Sequence, residues 1–310
     1  MVIKPQLPIG LIAFHMRHSI GAFFLSAALW VCVARYTWWL DRALPSTPFT
    51  IVGAALAIFL AFRTNSAYDR WWEGRKLWGG LVNTSRTWAR QATTFVEAAT
   101  DASPEDAAAV ERLRERLVRR QIAYIHALRC HLRDGQHGLR DDDCTRHLTD
   151  PERALLDHEN NLPNAIAQLQ AEDLVAAARS GWLHELRLQR LDTSLTELLN
   201  LQGGCERIKK TPVPRAYTYF ATRIVIWYGI LLPTVFVHDL GLLTIPISVS
   251  VAMCFRVVDE IGRLIQDPFS LAVNGLPLSA LSKTIELNLR QRIGEHDPGP
   301  MPEPVDGILM

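Results

Sequence analysis

The apolar run Pro48–Phe62, PFTIVGAALAIFLAF, passes within one residue into RTNSAYDRWWEGRKLW. At about 1.5 Å per residue it reaches only about 22 Å as a helix, short of the roughly 30 Å hydrocarbon core of a bilayer. Its helix therefore has to continue through the polar stretch 63–70, with those groups buried in protein rather than in lipid. Arg63, Arg70, Arg75 and Lys76 supply the basic flank expected on the cytosolic side of a span, and Trp71, Trp72 and Trp78 are interface anchors or tight packing.

Three further apolar segments stand out. Ile20–Leu40 carries one internal charge, Arg35, and ends in Trp38-Trp39; Ala216–Val237 contains Arg223 and Pro233; Leu240–Val258 contains Pro246 and Arg256. An arginine near the middle of a span costs on the order of 2.5–3.5 kcal/mol on insertion scales, so Arg35, Arg223 and Arg256 should snorkel or face other protein. The short link at His238-Asp239 makes the last two segments a hairpin. Arg17, the basic residues after Phe62, Arg207, Lys209, Lys210 and Arg215, and then Arg256 and Arg263 all flank one side, which places both termini and the bulk of the chain in the cytosol. Residues before the first segment lack the pattern of a cleavable signal.

The net charge of +1 hides this segregation, because charge is concentrated at roughly 100–205. The expected organisation is 1–80 with two membrane helices, 81–214 as a cytosolic helical region, 215–262 with the third and fourth membrane helices, 263–296 as a C-terminal cytosolic segment, and 297–310 as a flexible tail. Ser103-Pro104-Glu105-Asp106 reads as a helix start, and behind it Val110, Leu113, Leu117, Tyr124, Leu128 and Leu132 recur at helical spacing. Arg112, Arg116, Arg119 and Arg120 interleave with Glu111 and Glu115, so a solvated or inter-subunit face is favoured over nucleic-acid binding. No strand-period alternation occurs, and the class is all-α.

Nothing reads as an enzyme: the chain has no nucleophile elbow, phosphate loop, zincin motif or dinucleotide turn. His126 and His131 have no matched carboxylate pair nearby, and His184 and Glu185 are sequence neighbours on different helix faces. The five scattered cysteines have neither disulfide nor zinc spacing. Asp141-Asp142-Asp143 lacks the alternating oxygens, glycine and terminal glutamate of a calcium loop and reads as a polar loop.

Ala54, Ile58 and Phe62 recur at i, i+4, i+8 and line one helix face. Periodicity alone favours a packing seam. The alternative is that several copies set this stripe around an axis, giving a hydrophobic constriction of the kind that gates by dewetting. One chain has too few spans to enclose a pore, so such a reading requires a ring of subunits.

FRTNSAYDRWWEGRKLWGG, with LQGGCERIKKTPVPRAY (201–217) and IQDPFSLAVNGLPL (265–278), resembles the bacterial branch of the bestrophin family, over about residues 10–290. The resemblance implies a ring-shaped homopentamer in the bacterial inner membrane, with four transmembrane helices per subunit and a large cytosolic helical region. It places a pore neck on Phe62, Ile58 and, one turn further out, Ala54, where the family usually has a bulkier residue. A second, cytosolic constriction falls near Leu188 to Leu191. Permeant partners would be small monovalent ions, with a slight lean to cations such as sodium for the bacterial branch and chloride as the alternative; neither a cofactor nor nucleic acid is implied.

Two departures stand out. Animal members have an acidic calcium clasp after the Pro-Phe motif; here Asp267-Pro268-Phe269 is followed by Ser-Leu-Ala-Val-Asn-Gly, so no calcium activation is expected through it. Gly275 stands where bacterial relatives tend to have Asp. A reading of another class is a membrane-anchored interaction protein that conducts nothing.

Overall fold

The computed structural model describes residues 9–36, 45–100, 102–133, 138–272, 274–296, 299–301 and 303–304, without the side chains of 9–15 and 215. Trp38-Trp39, the Asp41-Arg42 pair and most of the tail 297–310 lie outside the described residues. The elements in chain order are α1 (Ile9–Tyr36), α2 (Ser46–Phe95), α3 (Pro104–Leu132), α4 (Asp142–Thr145), α5 (Asp150–Leu156), α6 (Leu162–Arg179), α7 (Glu185–Lys210), α8 (Arg215–Leu231), α9 (Pro233–Leu240), α10 (Thr244–Leu264) and α11 (Leu278–Arg292). Short 3-10 turns occupy Gly138–Arg140 and Gly241–Leu243. Among the described residues all regular structure is helical.

The apolar run and its polar continuation form one helix, α2, of 50 residues. Contacts divide the chain into two units, with boundaries at 71/72, 211/212 and 267/268.

The first unit holds α1, α2 as far as Trp71, and α8 to α10. Three stretches are long and apolar enough to cross a membrane: Met16–Tyr36, part of Ser46–Phe95, and Ala216–Leu264. The last comprises α8, α9 and α10. The expected hairpin link at His238-Asp239 is displaced: both residues lie inside α9, which starts at Pro233, and the chain turns instead at Gly241, whose φ of 54° suits a residue without Cβ. Proline at a first helical turn explains the restart after Leu231, because it removes a backbone donor there. Arg256 faces protein, bonding Asp259 and Glu260, whereas Arg223 lies 5.0 Å from the Tyr219 ring and Arg35 is exposed near the end of α1.

The second unit holds the rest of α2, α3 to α7 and α11. Ser103 caps α3 by accepting from the Asp106 amide, with Pro104 behind it. Val110, Leu113, Leu117, Tyr124, Leu128 and Leu132 are all buried, and the fully enclosed Trp78 and Trp88 join them in the core. Trp88 donates to the Leu117 carbonyl at 3.3 Å and Tyr124 to that of Leu198 at 3.1 Å. Trp78 is therefore packing rather than an interface anchor. Two glycines let α2 and α7 approach: a Cβ on Gly80 would lie 2.7 Å from Leu201, and one on Gly204 would lie 2.8 Å from Leu77. The roughly 1 kcal/mol that glycine costs a helix interior is offset by that reciprocal seating.

The arginines of α3 are largely consumed internally. Arg116 meets Asp173 at 2.7 Å, Arg119 meets Glu115 at 2.8 Å, and Arg120 is buried between Glu152 and Asp173. Asp141 caps α4 and pairs with Arg129, so the acidic run builds a short helix rather than an open loop. His184 caps α7 by accepting from the Leu186 amide.

A buried polar cluster joins α3 to α11. His126 Nε2 lies 3.0 Å from Glu286, which also accepts from Lys283 at 2.7 Å and Arg290 at 3.2 Å; His147 Nε2 stands 3.7 Å away. Against the opposing pull of Glu286, burial pushes both histidines below their ordinary value and so favours their neutral forms. Burial opposes ionisation of Glu286, but the hydrogen bonds from its neighbours hold its carboxyl far below the usual range. The signs agree. Below about pH 6.5 the unfolded chain takes up protons that the buried histidines refuse, and at lower pH the stability contributed by the ionised Glu286 is lost as well. The thermal midpoint should therefore fall between about pH 7.5 and about pH 5.5, and fall less in His147→Asn. Equal falls in the two proteins would remove His147 from the effect.

Candidate pore-lining face

The outer part of α2 has two unlike faces. Gly53, Leu56, Leu60, Arg63 and Ala67 are buried at heptad-like spacing, and Leu56 and Leu60 pack with Val225, Tyr228 and Phe255. Opposite them Ile51 is 64% exposed, Ile58 60% and Phe62 67%, with Ala54 exposed between. At about 100° per residue Ala54, Phe62, Asn65 and Asp69 all fall within about 40° of Ile58 around the helix. The protomer thus leaves one continuous stripe of α2 uncovered, and that stripe carries all three residues expected to form a neck.

The arginines beside the stripe point elsewhere. Arg63 is 5% exposed and bonds Asp259 of α10, which also accepts from Thr222 at 3.0 Å and Arg256 at 2.9 Å. Arg70 donates to the Gln266 carbonyl at 3.3 Å. Asp69 is exposed on the stripe side, one heptad inside Phe62. Arg63 is therefore a buried structural charge and not a free basic flank. Removing two ions from water costs several kcal/mol each, and the shared Asp259 offsets this by satisfying three donors at once. Sequence reading missed Asp259. Its signal is an Asp-Glu pair at the end of an apolar segment, three and four residues after Arg256.

The residues named for a cytosolic constriction do not share one surface. Leu191 is fully buried within its own protomer and has no area to offer a lumen. Leu188 is half-buried in a groove of about 300 Å³ with Leu174, Val175, Glu185 and Asp192. Leu186 is the large apolar residue at this end of α7 with free surface, 69% of it.

After α10 the Pro-Phe motif closes on itself. Phe269 is buried, Leu276 N–H donates to the Pro268 carbonyl at 2.7 Å, and Gly275 N–H donates to Ala272 at 2.8 Å. A Cβ at Gly275 would stand 2.1 Å from the Ser270 carbonyl oxygen, so an aspartate there requires a different loop. Among the described residues no three His, Cys, Asp or Glu side chains converge as metal ligands. Cys130, Cys144 and Cys205 are buried, each with its thiol pushed up to about 12, chiefly by burial; Cys32 and Cys254 are exposed.

Comparison with known proteins agrees with this architecture. The family described as bacterial/fungal bestrophin protein matches residues 10–291. A protein of Ralstonia nicotianae named as voltage-dependent anion channel-forming is 35% identical over 95% of both chains. One of Salmonella typhi with the same description is 36% identical over 89% of this chain and 85% of its own. The crystal structure of a point mutant of a bacterial bestrophin homologue from Klebsiella pneumoniae superposes with a TM-score of 0.82 at 30% identity, covering 90% of this chain and 99% of the other. A second structure of the Klebsiella homologue, phased on zinc, gives 0.81 over 91% and 100%. This chain belongs to the bacterial and fungal bestrophin family.

Proposed function

We propose that this protein is an ion channel of the inner membrane, in which five copies set the exposed stripe of α2 around a common axis. The single observation that carries the reading is the uncovered Ala54–Ile58–Phe62 face. An apolar stripe facing lipid would be expected to stay apolar along the span, whereas this one continues at the same angular position into Asn65 and the charged Asp69, which suits a water-filled lumen. Four crossings per subunit, with α8 and α10 as the last two, put both termini on the cytosolic side. No catalytic role is assigned to any residue.

Small anions such as chloride are the permeant class we assign, supported by the names carried by relatives that match nearly the whole chain. A second reading, monovalent cations, is favoured by Asp69: in a ring it places one carboxylate per subunit just inside the neck, while the neighbouring Arg63 is buried and neutralised. An apolar neck does not choose the sign of an ion, so ring charges of this kind do. Reversal potentials of the reconstituted protein in asymmetric NaCl test both. A chloride-selective reversal supports the first; a sodium-selective reversal that moves severalfold in permeability ratio towards chloride in Asp69→Asn supports the second. Absence of any current would sink the channel reading altogether.

A further inference from the structure

Within the second unit, the last turns of α2 and the C-terminal half of α11 enclose a groove of about 730 Å³. Its wall carries three guanidinium groups, Arg86, Arg90 and Arg292, with Asn288, Gln291 and Thr94 beside them, and no acidic residue lines it. Elsewhere in this unit Arg116, Arg120, Arg129 and Arg187 each meet a carboxylate. The three groove arginines meet none among the described residues. Arg86 instead donates to Asn288 Oδ1 at 2.9 Å, which holds both side chains in place and leaves the Asn288 amide free to donate. Arg90 lies 5.8 Å from the Phe95 ring.

Basic residues near helix C-termini commonly answer the terminal carbonyls. At the end of α2 that role falls to other side chains: Arg187 donates to the Phe95 carbonyl at 3.3 Å and Arg114 to that of Val96 at 2.8 Å. Arg86 and Arg90 stand upstream of both carbonyls and bond neither. Three like charges held around one concavity repel each other, and a bound counter-charge relieves that repulsion.

We infer that this groove is a binding site for a small molecule bearing two or more phosphate groups. The planar fork of arginine matches phosphate oxygens with paired, charge-assisted hydrogen bonds, and several forks at different angles select a multiply charged oxyanion over a single halide. The volume falls in the range of small-molecule sites and exceeds what chloride needs. The groove lies beyond the Ala54–Asp69 stripe, at the far end of α2 and in the second unit, and its binding test does not depend on the pore reading.

Titration calorimetry on the full-length protein in detergent, with inorganic pyrophosphate as probe, tests the inference. Wild type should bind with a dissociation constant in the micromolar range, and Arg90→Ala/Arg292→Ala should weaken binding at least roughly tenfold. Gln291→Glu, which places a carboxylate in the groove without removing an arginine, should weaken it to a similar extent and covers the case in which the double variant misfolds. Nanodiscs of phosphatidylcholine with and without cardiolipin, which carries two phosphates, separate the sources. Competition by cardiolipin that disappears in the double variant identifies a lipid headgroup, and its absence a soluble phosphate compound. No binding at millimolar pyrophosphate, or unchanged binding in both the double variant and Gln291→Glu, would overturn the site.

Discussion

Shortening the two side chains proposed for the neck, Ile58→Ala with Phe62→Ala, should raise the conductance of the reconstituted protein by about tenfold, equivalent to lowering its barrier by about 1.4 kcal/mol. An apolar constriction opposes an ion because water leaves it, and the cost grows as the ring narrows. Both side chains are more than half exposed in the protomer, so their loss opens space in the lumen without emptying the protomer core. The reciprocal change, Ala54→Ile, should narrow the outer end and reduce flux. These two substitutions therefore push in opposite directions on one helix face. A packing seam between subunits would give lost assembly in the first case and little change in the second. Single-channel recording with a parallel measure of oligomer size separates these outcomes.

The second large effect concerns Asp259. Replacing it by alanine leaves the Arg63 guanidinium buried without its carboxylate and takes an acceptor from Arg256 and Thr222. Breaking a buried pair from one side costs about 3–5 kcal/mol, because the remaining charge keeps its desolvation penalty. At about 2–4 °C per kcal/mol the thermal midpoint should fall by roughly 6–20 °C. Asp259→Asn retains an acceptor for Thr222 and should fall less. A fall of only a degree or two in the alanine variant, measured by thermal aggregation of the detergent-solubilised protein, would show that Arg63 finds another partner or water.

The helices were readable because their signals are local. The Ser103-Pro104 start, the buried series from Val110 to Leu132, and the need for α2 to outrun its apolar segment all follow from spacing and length. Ala54, Ile58 and Phe62 fall on one uncovered face for the same reason, since helical spacing fixes which residues share a side. What stayed hidden depends on contacts between distant segments. His126 has no carboxylate near it in sequence, yet Glu286 lies against it across 160 residues. Arg63 reads as a cytosolic flank until α10 brings Asp259 to it, 196 residues away. Leu191 has the same local pattern as Leu188, and only the packing of α7 decides that one is enclosed and the other half-exposed. The break at Pro233 was visible as a residue but not as a helix restart, because a proline also fits inside a kinked span.

Thiol accessibility distinguishes an uncovered face of α2 that lines the ion path from one that faces lipid. With the exposed Cys32 and Cys254 replaced by serine, Ile58→Cys should be modified by a charged methanethiosulfonate reagent added from the water, and the current should drop sharply and recover on reduction. Modification that leaves the current unchanged, or an introduced thiol that reacts only with membrane-soluble reagents, would place this face against lipid and contradict the account.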